Sequence, residues 1–249
     1  MNERTFDLTR RDPLLPWLIF TGVSFFAFIL LWYFGLIARM VASDRTYISS
    51  IIGVLYIASS LHCLWRVLAI SRESEAAEKT ARAIIRNGVQ FPHTASDASE
   101  NNSPTGLVAV HIRDLVTKAS LQGPERLDQT LLLRVLAERL RGSNQFGAFA
   151  ADTLMKLGLL GTIIGFIMML APIAGLDTEN REAVRSSMSL MSDGMAVAMY
   201  TTLVGLIASI LVKVQYSLLD SATTKIFAFA VDLTEVHVVS SLERRAAAE

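Results

Sequence analysis

Residues 157–176 read LGLLGTIIGFIMMLAPIAGL, twenty positions without one charged side chain. A helix needs about 20 mostly apolar residues to cross a hydrocarbon core of about 30 Å, so this stretch alone predicts a membrane span. Beyond a short turn that holds Arg181 and Arg185, residues 194–212 (GMAVAMYTTLVGLIASILV) are again free of charge. Earlier in the chain, residues 13–38 and 46–65 repeat the pattern. Four such stretches in 249 residues leave too little polar helix surface for a soluble core to cover them. The expected fold is all-α: an integral membrane protein with four transmembrane helices and long cytoplasmic helical extensions.

The overall composition fits that reading and excludes others. Hydrophobic residues make up 52% of the chain and charged residues 18%, against about 25% charged in soluble domains. Equal numbers of basic and acidic residues, 23 each, argue against nucleic-acid binding through a basic excess and against a disordered polyelectrolyte. One cysteine, Cys63, excludes an intramolecular disulfide, and the four histidines show no paired metal-ligand spacing. No nucleophile–base set is visible, so an enzyme is not expected and no cofactor is implied. His62 and Cys63 are adjacent and cannot share a helix face, which makes them packing residues.

Arg4, Arg10 and Arg11 precede the first span, as in a signal peptide, but its apolar run exceeds a cleavable core of about 7–15 residues. It reads as a retained anchor, with Trp17, Trp32, Tyr33, Tyr47 and Trp65 toward helix ends where interfacial aromatics sit. The turns after the first and third spans hold only Arg39, Arg45, Arg181 and Arg185 as basic residues. The positive-inside rule then places both termini and the central loop in the cytoplasm. The expected layout is a cytoplasmic N-terminus (1–12), a first transmembrane hairpin (13–70), a cytoplasmic helical domain (71–151) with a flexible linker at 88–104, a second transmembrane hairpin (152–215) and a cytoplasmic C-terminal helix (216–249).

Residues 70–87 carry Glu75 four before Lys79 and Glu78 four before Arg82, with Gly88 as a stop. Two amphipathic helices are expected over 106–121 and 124–141, the second with Leu127, Leu131, Leu132, Val135, Leu136 and Leu140 as its apolar side. In the tail, Leu219, Ala222, Ile226, Phe229, Leu233 and Val236 form an a/d-type seam that needs a partner helix, either from this chain or from a neighbouring subunit.

The third and fourth spans carry small residues at helical spacing: Gly158, Gly161 and Gly165 in one, Gly194, Ala198, Thr201, Gly205 and Ala208 in the other. Such stripes let helix backbones approach closely, and ordinary packing of two membrane helices is their plainest explanation. Thr162 and Thr202 stand nearly equidistant from the external turn near Arg181 and Glu182, so their hydroxyls are expected at similar depth, with Thr201 and Ser209 adding further hydroxyls. Pro172 is expected to kink the third span near its outer end without breaking it.

GLLGTIIG at residues 158–165, followed by GMAVAMYTTLVGL at 194–206, resembles the paired motif of the MotA/TolQ/ExbB ion-channel family. The similarity at motif level covers about residues 152–220, and the four-span plan resembles the MotA branch. TolQ and ExbB types carry a proline at the position of Met155 and a glutamate at that of Val197; both are missing here, and flagellar stators lack the glutamate too. The resemblance implies a pentamer around two single-span helices of the MotB/TolR/ExbD type. The partner's membrane aspartate would bind a transported proton or sodium ion, and Thr162 and Thr202, with Thr201 and Ser209, would line the pathway. Gly158, Gly161, Gly165, Gly194, Ala198 and Gly205 would set the helix packing around the partner. The charge-free windows hold no carboxylate of their own, so a titrating group must come from elsewhere. A non-conducting membrane scaffold and a small-solute transporter are the alternatives; inverted repeats, the mark of many transporters, are not evident.

Overall fold

A computed structural model describes residues 14–33, 35, 47–87, 106–122, 129–175 and 181–241. Among these residues the regular structure is helical throughout: α1 (Leu14–Tyr33), α2 (Ile48–Asn87), α3 (Leu107–Gln122), α4 (Thr130–Arg141), α5 (Gln145–Leu170) and α6 (Arg181–Leu233), with a π-helical turn at Thr234–Val239. The expected linker at 88–104, the N-terminal residues 1–12 and the start of the helix expected over 124–141 lie outside the described residues.

Three helical stretches, Ile48–Ile85, Gln145–Ile173 and Arg181–Val239, are long and apolar enough to cross a membrane. Residues Leu14–Leu30 of α1 add a shorter apolar stretch. Leu18, Phe25 and Phe26 on α1, Ile163 and Ile167 on α5, and Met199 and Leu203 on α6 all point outward and exposed. Water does not tolerate so much continuous apolar surface, whereas lipid does. The chain is a multi-pass membrane protein.

The described residues fall into two compact units. The first draws on residues 17–64 and 143–217. In it, α1 is fixed to α2 by Trp17, whose indole N–H donates to the buried Cys63 sulfur at 3.3 Å. The helices α5 and α6 run antiparallel in close contact. The C-terminal end of α5 stops at Leu170 and passes into a 3-10 turn, Ala171–Gly175, which holds Pro172, where the sequence reading expects a kink. Pro172 lacks the N–H that would continue the α-helical ladder, which accounts for the stop.

The second unit draws on residues 65–142 and those after 217. Two side chains of α2 cap other helices of this unit. Glu73 Oε1 accepts the backbone N–H groups of Leu107 (2.5 Å) and Val108 (3.3 Å), so a carboxylate sits at the positive end of α3. Arg66 Nη2 donates to the carbonyls of Leu140 (3.1 Å) and Arg141 (3.3 Å), placing a cation at the negative end of α4. Glycine stands beside both caps: Gly106 at φ +144° and Gly142 at φ +43°, backbone conformations that side chains rarely adopt.

Three sequence expectations change here. Helix α4 begins at Thr130, with Gln129 outside it, so no helix runs unbroken from residue 124 to 141. The Gln129 amide instead donates to the Glu235 carboxylate. The apolar side of α4 is only half covered, with Leu136 and Leu140 buried while Leu131 is 71% exposed. The seam of the last helix is buried within this chain at Leu219, Ala222, Ile226, Phe229 and Leu233, but Val236 is exposed. The π-helical turn explains the exception. It lengthens the spacing after Leu233, moving the buried positions to Val238 and Val239.

Candidate functional site

The contact between α5 and α6 is built from missing side chains. A Cβ placed on Gly158 would lie 3.2 Å from the Gly205 Cα and from the Thr201 carbonyl. On Gly161 it would lie 2.2 Å from Thr201 Oγ1, and on Gly165 it would lie 2.6 Å from the Ala198 nitrogen and 2.7 Å from the Gly194 carbonyl. From the other side, a Cβ on Gly194 would meet the Met169 nitrogen at 2.6 Å, and one on Gly205 the Gly158 Cα at 2.7 Å. The two small-residue stripes therefore face one another within the chain. Helix backbones can approach this closely only where both surfaces lack Cβ bulk.

The register of this contact fixes the hydroxyls. Thr201 is fully buried against Gly161, and its Oγ1 donates within its own helix to Val197 O at 2.9 Å. Thr162 follows Gly161, and Thr202 follows Thr201. In an antiparallel pair of right-handed helices, the residue after the contact position turns to the same flank on both helices. Thr162 and Thr202 thus share one level and one flank of the pair, and both are half-exposed. Thr202 Oγ1 donates to Ala198 O at 3.0 Å and reaches Gly158 O across the contact at 3.4 Å. Thr162 Oγ1 donates to Leu159 O at 2.6 Å. Ser209, seven residues past Thr202, stands on the same side of α6 and is also half-exposed.

Charge marks one end of the pair. Lys156 Nζ donates to Asp152 Oδ2 at 2.5 Å, an i,i+4 pair on the exposed side of α5 and the first charges met below Thr162. Val197, where TolQ and ExbB types carry glutamate, is buried, while Met155 is exposed. Among the described residues no group of three or more His, Cys, Asp or Glu could hold a metal ion.

Two residues that the sequence reading passed over extend this contact. A Cβ on Gly147 would lie 2.0 Å from the Tyr216 ring, so that ring fills the glycine notch. Eleven residues separate Gly147 from Gly158, and eleven separate Gly205 from Tyr216, so the notch continues the same antiparallel register. An isolated glycine before the apolar run gave no periodic signal by which to find it.

No curated protein and no solved structure matches the chain. The sequence profile of the MotA/TolQ/ExbB proton channel family matches residues 77–229, which include both glycine-rich stripes and the paired threonines. A membrane-spanning helix pair of this build, within a match over more than half of the chain, places the protein in the MotA/TolQ/ExbB proton channel family.

Proposed function

We propose that the chain is the ion-conducting subunit of an inner-membrane motor or energiser complex. Five copies enclose two single-span helices of a MotB/TolR/ExbD-like partner and couple proton or sodium flow to mechanical work. The observation that carries this reading is the placement of Thr162 and Thr202 at one level and on one flank of the close-packed α5–α6 pair. Neither helix offers a carboxylate in its charge-free run, so the partner's membrane aspartate supplies the titrating group and this chain supplies the hydroxyl-bearing wall. Thr201 stands behind that wall against Gly161, and Ser209 continues it. The rigid glycine contacts keep the hairpin a single body as it packs around the partner.

In this reading α1 is the first of four spans, both termini and the helices α3 and α4 lie in the cytoplasm, and residues 152–215 form the pore hairpin. A non-conducting scaffold would use the same helix contacts without ion flow. Reconstitution of the chain with its co-purifying single-span partner in liposomes separates the two. Uptake of protons or sodium under an imposed membrane potential is expected, with loss of uptake when the partner's membrane aspartate is replaced by asparagine. Partner binding without any uptake would favour the scaffold.

A further inference from the structure

His62 on α2, Phe146 and Gly147 on α5, and Tyr216 on α6 meet at one point of the membrane-spanning unit. The His62 Nδ1 and the Tyr216 hydroxyl are 2.7 Å apart. The His62 ring lies nearly parallel to the Tyr216 ring, with centroids 6.2 Å apart, and is tilted against the Phe146 ring at 4.9 Å. The same hydroxyl reaches a second acceptor, the Ser59 carbonyl, at 3.4 Å. One residue along α6, the fully buried Gln215 donates from Nε2 to Ser60 Oγ at 3.2 Å. The seam between α2 and α6 is therefore polar here. Polar pairs of this kind fix a single helix register, because any slip strands a buried group.

We propose that His62 is a positioning residue for the pore hairpin, acting through Tyr216, and that its protonation sets the direction of the Tyr216 hydroxyl. This rests on reading α5–α6 as the conducting pair. With Nδ1 unprotonated, the Tyr216 O–H donates to it. With the ring cationic, Nδ1–H must donate, so the Tyr216 oxygen accepts and its O–H turns to the Ser59 carbonyl. The contact survives in both states, but its polarity reverses and a second bond to α2 forms. His62 is half-buried, and imidazole is the side chain that can change charge near neutral pH while keeping a ring nitrogen in this contact.

Facing the imidazole are the Tyr216 phenol from α6 and the Phe146 ring from α5. The nearest charged residues in sequence are Arg66 on α2, Lys213 and Asp220 on α6, and Asp152 on α5. Arg66 is bonded to the Leu140 and Arg141 carbonyls, and Asp152 is paired with Lys156. Asp220 lies 4.0 Å from Arg141.

The test has two arms. In liposomes holding the chain and its partner, flux is driven by membrane potential while the pH is set equal on both sides. Wild-type flux is expected to pass through one inflection as the pH is lowered from about 8, which His62→Gln and Tyr216→Phe each remove. The second arm needs no flux: histidine ring signals of the full chain are followed by NMR across the same range. The signal lost in His62→Gln identifies the residue, and Tyr216→Phe is expected to shift its titration midpoint. A wild-type flux without inflection, an inflection that survives His62→Gln, or a His62 signal unmoved by Tyr216→Phe overturns the proposal. Absence of flux in every form would instead overturn the reading of the hairpin, and the ring titration would still decide the role of His62.

Discussion

Arg66 and Glu73, seven residues apart on α2, hold opposite ends of the α3–α4 pair: the guanidinium bonds the last carbonyls of α4, and the carboxylate bonds the first amides of α3. Each charge has the sign that its helix end favours. One stem thus anchors two helices, α3 and α4, that also pack against each other.

Removing either grip has a local cost. Replacing Glu73 by Ala leaves the Leu107 and Val108 amides without that cap and is expected to cost about 1 kcal/mol, the usual loss for a helix-capping side chain. Replacing Arg66 by Ala is expected to cost a similar amount, of order 1 kcal/mol. Thermal unfolding of the purified chain should show both midpoints lowered. Amide hydrogen exchange should rise first at the start of α3 in Glu73→Ala and at the end of α4 in Arg66→Ala. Exchange rising uniformly in both variants would contradict the capping account.

The Gly161–Thr201 contact predicts a compensating pair. In Gly161→Ala the new Cβ would lie 2.2 Å from Thr201 Oγ1, so the helices must part. Overpacking of this kind costs roughly 1–3 kcal/mol. Thr201→Ala removes the obstructing atoms, so the double variant is expected to recover stability relative to Gly161→Ala, with a coupling of about 0.5–3 kcal/mol. Simple additivity of the two changes would show that these residues do not meet.

His111 predicts an acid-sensitive α3. Its ring is buried, Nε2 has no hydrogen-bond partner among the described residues, and burial lowers its pKa below the ordinary 6.5, with the Asp114 carboxylate partly opposing. The unfolded chain therefore takes up a proton on this ring near pH 6.5 while the folded chain does not. The stability it contributes is complete above about pH 6.5 and is lost as the pH falls toward the folded value. His111→Phe should flatten the difference in unfolding midpoint between pH 7.5 and pH 5.5 relative to wild type. An unchanged difference would mean that other groups carry the acid response.

The membrane helices were legible because charge is either present or absent along a helix, and the windows at 46–65, 157–176 and 194–212 needed no partner to be read. The glycine stripes were legible for the same reason, since their spacing is a property of one helix. What faces them is not: the stripe at Gly158, Gly161 and Gly165 reads alike whether it meets α6 or a partner, and only the backbone contacts resolve it. The tail seam was found through Leu233 and missed at Val236, because a π-helical turn changes the residue period without a marked signal in composition. Caps from Arg66 and Glu73 join residues 74 and 34 positions apart, so no local pattern announces them. Nothing in the sequence joins His62 to Tyr216, because neither Gly147 nor Tyr216 carries a sign of the other.

The central claim is that Thr162 and Thr202 form the wall of an ion pathway. The direct measurement is ion flux through the chain with its partner in liposomes, comparing wild type with Thr162→Val and Thr202→Val. Valine keeps the shape of threonine and removes the hydroxyl. Losing one hydrogen bond of about 1.4 kcal/mol along the path corresponds to about tenfold in rate, so each variant is expected to lose about tenfold in flux while its assembly with the partner persists. Full flux in both variants, with assembly intact, would contradict the account.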